Sequence, residues 1–174
     1  MRKYCGIDDF LSEQPVTRGR ALVVGSKCYG EKPDRRKLYE NAVGLDLFEG
    51  EGVDIVHDLE TPLDGELFDH VDCCSVLEHV KRPWLLCENI EAAMRPGATI
   101  LIMVPFVWRV HNYPGDYWRM SMQALDVLFP NIEWTERGYM MGDRFRKVIQ
   151  SIETNGHKYL QRSETVAFGH LVSK

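Results

Sequence analysis

The 174-residue chain has no apolar run of 18 residues, so none of its segments reads as a helix able to cross a bilayer. Met1-Arg-Lys-Tyr4 lacks the apolar centre of a secretory signal, which leaves the cytoplasm as the expected compartment. Cysteine is sparse and poorly spaced for crosslinking: there are five, an odd number, with no Cys-x-x-Cys pair. That pattern excludes a disulfide framework and a zinc ribbon. Cys73 and Cys74 are neighbours in a segment that reads as a strand, where adjacent side chains point to opposite faces, so they do not share an ion. Free buried thiols are expected, and no metal site. Positive charge is not in excess either. A net charge of −5 gives no overall attraction to nucleic acid or anionic lipid, and no basic strip interleaved with aromatics supplies a local one. Repeats and low-complexity stretches are absent. A hydrophobic fraction of 44% over this length suits one domain, residues 1–174 with 1–20 as a polar lead-in. Such a domain buries about two thirds of its unfolded surface.

Glycine is missing where a phosphate cradle needs it. The apolar run Ala21–Val24 breaks at Gly25-Ser-Lys-Cys-Tyr-Gly30, and Lys27 stands where a dinucleotide turn has its middle glycine. A P-loop fails as well, because Glu31-Lys32 follows Gly30 in place of Lys and then Ser or Thr. An acid there would repel phosphate. What is present is Gly44-Leu-Asp46, whose acid lies 21 positions after Gly25 at the end of the next strand. A tight glycine turn followed by a strand-end acid suits a cofactor with a ribose and no phosphates, which points to S-adenosylmethionine. One carboxylate can accept both ribose hydroxyls in charge-assisted hydrogen bonds. The competing roles are a plain strand-to-loop turn at Gly25 and a loop cap at Asp46.

The remaining signals alternate between strand and helix. Strands are predicted at Ala21–Val24, Ala42–Asp46, Val53–His57, His70–Val76, Thr99–Val104, Ile132–Arg137 and Thr165–Val172. A helix starts at Pro83 and ends at Arg95-Pro-Gly97, and Ser121 caps a second that runs to Phe129. Asp143 is placed to cap a third, with Phe145, Val148, Ile149 and Ile152 at helical spacing. Pro33 keeps any helix within Lys32–Asn41 short, and a short helix is expected near Ile7–Leu11. The pattern is that of a doubly wound α/β domain.

Four segments carry a family resemblance: Leu22-Val-Val-Gly-Ser-Lys-Cys-Tyr-Gly30, Gly44-Leu-Asp46, Phe68-Asp-His-Val-Asp-Cys-Cys-Ser-Val-Leu-Glu-His-Val80, and Met94-Arg-Pro-Gly97 before an apolar strand. Together they resemble the class I S-adenosylmethionine-dependent methyltransferases, particularly the type 11 small-domain group. Val104-Pro-Phe and His111-Asn-Tyr-Pro-Gly-Asp-Tyr-Trp-Arg119 look like one subset of that group. The resemblance implies a Rossmann-like sheet of about seven strands, mostly parallel with the last antiparallel, and a cofactor across the carboxyl ends of the first four. Gly25, Ser26 and Gly30 would line the methionine part. Asp46 would accept both ribose hydroxyls with Leu47 next to it in the cofactor site, Asp58 and Leu59 would sit by the adenine, and Ser75, Leu77 and Glu78 would close the other side.

Methyl transfer needs an aligned nucleophile and, for a hydroxyl or amine, a destination for its proton. His111 and Tyr117 follow the fifth strand and His79 the fourth, all at the edge where open α/β sheets bind ligands. These three are the candidate catalytic residues, and the alternative is that 108–119 forms a packed aromatic lid. Arg109 and Arg119 offer an anion contact or pair with nearby acids. Ser75-Val-Leu-Glu78 occupies the place of an amide-binding tetrapeptide such as Asn-Pro-Pro-Tyr, which argues against nucleobase amines. A small-molecule, sugar-like or lipid-like acceptor is therefore expected. Two other readings stand beside it: a catalytically inactive binding or partner module, suggested by Val23 and Lys27 at positions where the family has an acid and a glycine, and a nicotinamide-dependent oxidoreductase.

Overall fold

Both faces of the central strands are covered, which is why their sequences run apolar without alternation: Leu22, Val23, Val71, Ile100, Leu101 and Ile102 are fully buried. The computed structural model describes residues 19–30, 33–65, 67–111, 114–141, 144–147 and 163–172. The strands are β1 (Arg20–Val24), β2 (Asn41–Asp46), β3 (Ile55–Val56), β4 (Phe68–Cys74), β5 (Met94–Val107), β6 (Ile132–Met141), β7 (Arg144–Lys147) and β8 (Ser163–Leu171). They form one sheet in the order β3-β2-β1-β4-β5-β8-β6-β7. The first five are parallel, and β8 enters antiparallel between β5 and β6. The chain leaves β1 toward β2 on one side and returns to β4 on the other. The crevice at the carboxyl ends of β1 and β4 is thus a topological switch point, where such sheets bind ligands.

The helices α1 (Pro83–Ala93) and α2 (Met122–Leu128) begin where their caps place them. Pro83 opens α1, and the Ser121 hydroxyl accepts the Ala124 amide at 3.3 Å. Leu86, Cys87 and Ile90 of α1 and Leu125 of α2 pack with Leu22, Val24, Val71, Cys73, Ile100 and Ile102. Cys74, one residue on, belongs instead to a second cluster with Leu101, Val166 and Phe168, so the two neighbouring thiols do face opposite ways. On that second face a short 3₁₀ turn, Arg35–Leu38, brings Arg35 and Tyr39 to the buried Asp72. Arg35 Nε donates to both carboxylate oxygens (3.3 and 3.1 Å), its Nη2 lies 2.5 Å from Oδ2, and the Tyr39 hydroxyl donates at 2.7 Å. His70 continues the chain, with Nε2 3.1 Å from the Tyr39 oxygen and Nδ1 2.8 Å from the Thr99 hydroxyl. Burial holds the His70 imidazole down at about 4.

Three expectations change. The regular part of β3 is only two residues, although the Asp54 and His57 amides still bond the Gly44 and Asp46 carbonyls along β2. β5 begins earlier, at Met94, with a register shift against β4 between Phe68 and His70. The helix expected from Asp143 is not formed where it should start: Arg144–Lys147 is a strand, an eighth, paired antiparallel with Gly138–Met141. β6 runs four residues beyond the expected Arg137, and the backbone groups along its edge are satisfied by β7, which outweighs helical spacing. Residues 148–152 of that expectation, and Ile7–Leu11, lie outside the described residues.

Candidate functional site

At the end of β1 the chain must turn sharply to fold back on β2. Gly25 takes φ +67° there, and a Cβ at this position would run into Val76. The Gly25 and Ser26 amides both donate to the Leu45 carbonyl, at 2.8 and 3.1 Å. The Ser26 hydroxyl is buried with no hydrogen-bond partner. Gly44 lies beneath it, and a side chain there would meet the Ser26 Oγ and the Gly52 carbonyl. Asp46 accepts the Lys27 amide on Oδ2 and the Phe48 amide on Oδ1, both at 3.1 Å. It therefore caps the loops on either side. Each oxygen retains a second lone pair, and the carboxylate, 8% exposed, lines the cleft.

The cleft occupies about 1610 Å³ at the switch point. Gly25, Ser26, Gly30, Asp46, Leu47, Asp58, Leu59, Ser75, Glu78, His79, His111 and Tyr117 all border it. Leu77 does not. It is fully buried in the core, because the 3₁₀ turn Leu77–His79 points Leu77 inward and turns Glu78 and His79 to the cleft. Asp58 is exposed and accepts the Glu60 amide at 2.9 Å, while the Leu59 carbonyl is fixed by Asn89 of α1 at 2.8 Å. Ser75 holds φ +58°, a left-handed backbone costly for a side-chain-bearing residue, with its amide tied to the Met103 carbonyl at 2.8 Å.

The opposite wall is built from residues 108–111 and 114–119, which pack over Glu78–Val80. Tyr117 donates its amide to the Glu78 carbonyl (2.7 Å), and the Trp118 indole donates to the Val80 carbonyl (2.8 Å). His79 Nδ1 bonds the Gly115 carbonyl. Asp116, half-buried with its carboxylate covered, accepts from Arg119 Nη1 and Nη2 (2.5 and 2.7 Å) and from the His111 amide (2.7 Å). The Arg119 hydrogen bonds hold its carboxyl well below the usual carboxylate range. Arg119 is thus spent on Asp116 and on the Arg109 and Trp118 carbonyls. The lid is packed, yet His111 and Tyr117 keep partly exposed side chains, and the His79 and His111 rings meet edge-on with centroids 4.9 Å apart. Tyr113 lies outside the described residues.

Glu78 is 1% exposed, and its Oε2 has no hydrogen-bond partner. Burial, with Asp116 and Glu164 adding negative potential, pushes its carboxyl up to about 7. Sequence reasoning missed Lys27, Phe48, Arg82, Met103 and Glu164, which also border the cleft. Phe48 had a signal, an exposed-type position two residues after Asp46. Glu164 had none, because β8 brings it beside Pro105 from 59 positions away.

No family model matches the chain. An rRNA methyltransferase of Saccharomyces cerevisiae, which methylates N1 of an adenine in 25S rRNA, is 32% identical over 98 residues, 53% of this chain and 29% of that protein. The chain therefore aligns with under a third of that relative's length. A Burkholderia thailandensis 1,6-didemethyltoxoflavin N1-methyltransferase, solved with its substrate and S-adenosylhomocysteine, superposes with a TM-score of 0.61 at 15% identity, over 89% of this chain and 72% of its own. The cyclase SpnF superposes with a TM-score of 0.66 at 15% identity, over 97% and 80%. The fold is that of the class I S-adenosylmethionine-dependent methyltransferases.

Proposed function

We propose that the chain binds S-adenosylmethionine and transfers its methyl group to a small-molecule acceptor. The observation that carries this reading is Asp46: a nearly buried carboxylate at the switch point, clasped by two backbone amides, with acceptor capacity left toward the cleft. The residues present suit the cofactor. Gly25 leaves room at the turn, and the unpartnered Ser26 hydroxyl offers a polar contact beside it. Asp46 would hold the ribose hydroxyls, Leu47 and Leu59 would flank the adenine with Asp58, and Gly30, Ser75 and Glu78 would border the methionine part. Leu77 supports that wall from beneath. The bound cofactor supplies a methyl group already activated by a sulfonium.

The chain's own work is then to hold and desolvate the acceptor and to receive its proton. His79, His111 and Tyr117 border the cleft on the lid side and would serve that task. The methyltransferase relatives support the activity, and a small acceptor agrees with the net charge of −5. The yeast relative favours a second reading, an RNA acceptor. Calorimetric titration with S-adenosylhomocysteine is expected to show one saturable site per chain, whereas no heat at saturating ligand, or preference for a nicotinamide dinucleotide, overturns the cofactor reading. Transfer of a labelled methyl to a pool of small molecules, but not to RNA, is expected in the acceptor screen. Cofactor binding without transfer to any pool would make the chain a binding module.

A further inference from the structure

Two histidines 32 positions apart in the sequence meet beside a buried carboxylate at the lid end of the cleft. The ligand atoms of Glu78, His79 and His111 all lie within 4.8 Å of one another. His79 Nε2 is already 3.6 Å from Glu78 Oε1. Two ligands about 2.1 Å from one tetrahedral ion stand roughly 3.4 Å apart, so the His79–Glu78 pair has the required spacing and His111 closes on them by a side-chain movement of up to about 1.4 Å.

The outer partners point the same way. A metal-binding histidine uses one ring nitrogen and has the other oriented by a carbonyl or carboxylate. His79 Nδ1 faces the Gly115 carbonyl. His111 Nδ1 lies 3.3 Å from both the Asp116 carboxylate and the Arg109 carbonyl. In each case the proton belongs on Nδ1, which makes Nε2 the electron-pair donor. Glu78 adds the independent observation. Its Oε2 is buried without a hydrogen-bond partner, an arrangement costly for a carboxylate unless something else meets it.

We propose that Glu78, His79 and His111 form a binding site for a divalent ion of the zinc and first-row transition series at the acceptor end of the cleft. Two imidazoles and one carboxylate select such ions over magnesium or calcium, which prefer all-oxygen shells. Three protein ligands leave a coordination position open toward the cleft, where the acceptor reading above places the substrate. On that reading, which this function of the ion assumes, an acceptor hydroxyl or carboxylate would be held there, and His79 and His111 would act as ligands while solvent takes the acceptor's proton.

Metal binding is measurable without cofactor or acceptor. Titrating the untagged, metal-free chain with Co²⁺ is expected to produce visible ligand-field absorption at one equivalent, displaced by Zn²⁺. Glu78→Gln and His111→Ala should each weaken binding at least tenfold, and His170→Ala, on a distant strand, should leave it unchanged. Absent absorption in the parent chain overturns the site without recourse to any variant. Equal binding by the Glu78 and His111 variants, in samples whose thermal unfolding shows them folded, also overturns it, as does an equal loss in His170→Ala. S-adenosylhomocysteine titrated into the same samples reads the cofactor proposal separately: lost Co²⁺ binding with intact cofactor binding counts against the metal alone, and the reverse against the cofactor alone.

Discussion

Replacing Asp46 tests the cofactor reading most directly, because the structure gives its carboxylate two duties that can be separated. Two ribose hydroxyls donating to an ionised, 8% exposed acceptor form hydrogen bonds worth about 1.5–3 kcal/mol each. Some of that is recovered by water entering the emptied space, so Asp46→Ala is expected to weaken S-adenosylhomocysteine binding by roughly 2–4 kcal/mol, or about 30- to 1,000-fold. The same substitution removes the acceptor for the Lys27 and Phe48 amides. That loss acts on the free protein and would appear as a lower unfolding midpoint, with an indirect effect on affinity if the loops move. Asp46→Asn resolves the ambiguity. Its amide oxygen can still accept the Phe48 amide and one hydroxyl, so stability should fall less while affinity still drops, because the charge is gone. Calorimetry gives the affinities, and urea unfolding monitored by circular dichroism gives the stabilities. Unchanged affinity in a folded Asp46→Ala protein would refute the reasoning, and Asp46 would then be a loop cap alone.

Gly25→Ala places a side chain at φ +67° against Val76, which should cost roughly 1–2 kcal/mol in urea unfolding and weaken S-adenosylhomocysteine binding in parallel; a neutral result on both would show the turn to be slack. His70 is held neutral by burial, with a folded value of about 4 against ~6.5 when unfolded. The stability it contributes is complete above about pH 6.5 and is lost as pH falls through 4, about 3 kcal/mol in all, so His70→Gln should flatten the acid side of the stability curve. Asp72→Asn leaves the Arg35 guanidinium without its charge partner beside the buried strand and should cost about 3–5 kcal/mol, read from the urea midpoint at pH 7.

The parallel half of the sheet was legible because burial on both sides forces continuous apolar runs, and β1, β2, β4 and β5 fall where those runs lie. The two α-helices of the described residues were legible from Pro83 and Ser121, whose local chemistry starts a helix wherever the rest of the chain goes. The position of Asp46 at the end of β2, on the cleft, was legible from its distance to Gly25. Leu77 was misplaced because the family resemblance assigned Ser75 to Glu78 to the cofactor wall as one run, without regard to which way each side chain points. The chain leaves β4 at Cys74, passes a left-handed Ser75 and enters a 3₁₀ turn, so its faces are reset. The β6–β7 hairpin was hidden because Phe145, Val148 and Ile149 satisfy a helical spacing, and only the unpaired edge of β6 decides otherwise. Neither the meeting of His79 with His111 nor the arrival of Glu164 leaves any trace in local sequence. Both depend on how the lid and β8 close on the sheet.

β8 has a consequence for how this molecule comes to exist. It lies between β5 and β6 and hydrogen-bonds to both, yet it is synthesised after either of them. A nascent chain emerging from the ribosome can pair β1 through β5 but must hold the sides of β5 and β6 open until residue 171 has appeared. During that interval it displays two templates for pairing with other chains, a hazard that grows with the time spent waiting. Closure of so distant a pairing is also slow, because loop entropy is lost before any contact forms. Glu164 reaches the cleft only with this final insertion. The acceptor wall is thus completed by the same event that seals the sheet, so a chain stalled short of β8 is at once sticky and without a finished pocket.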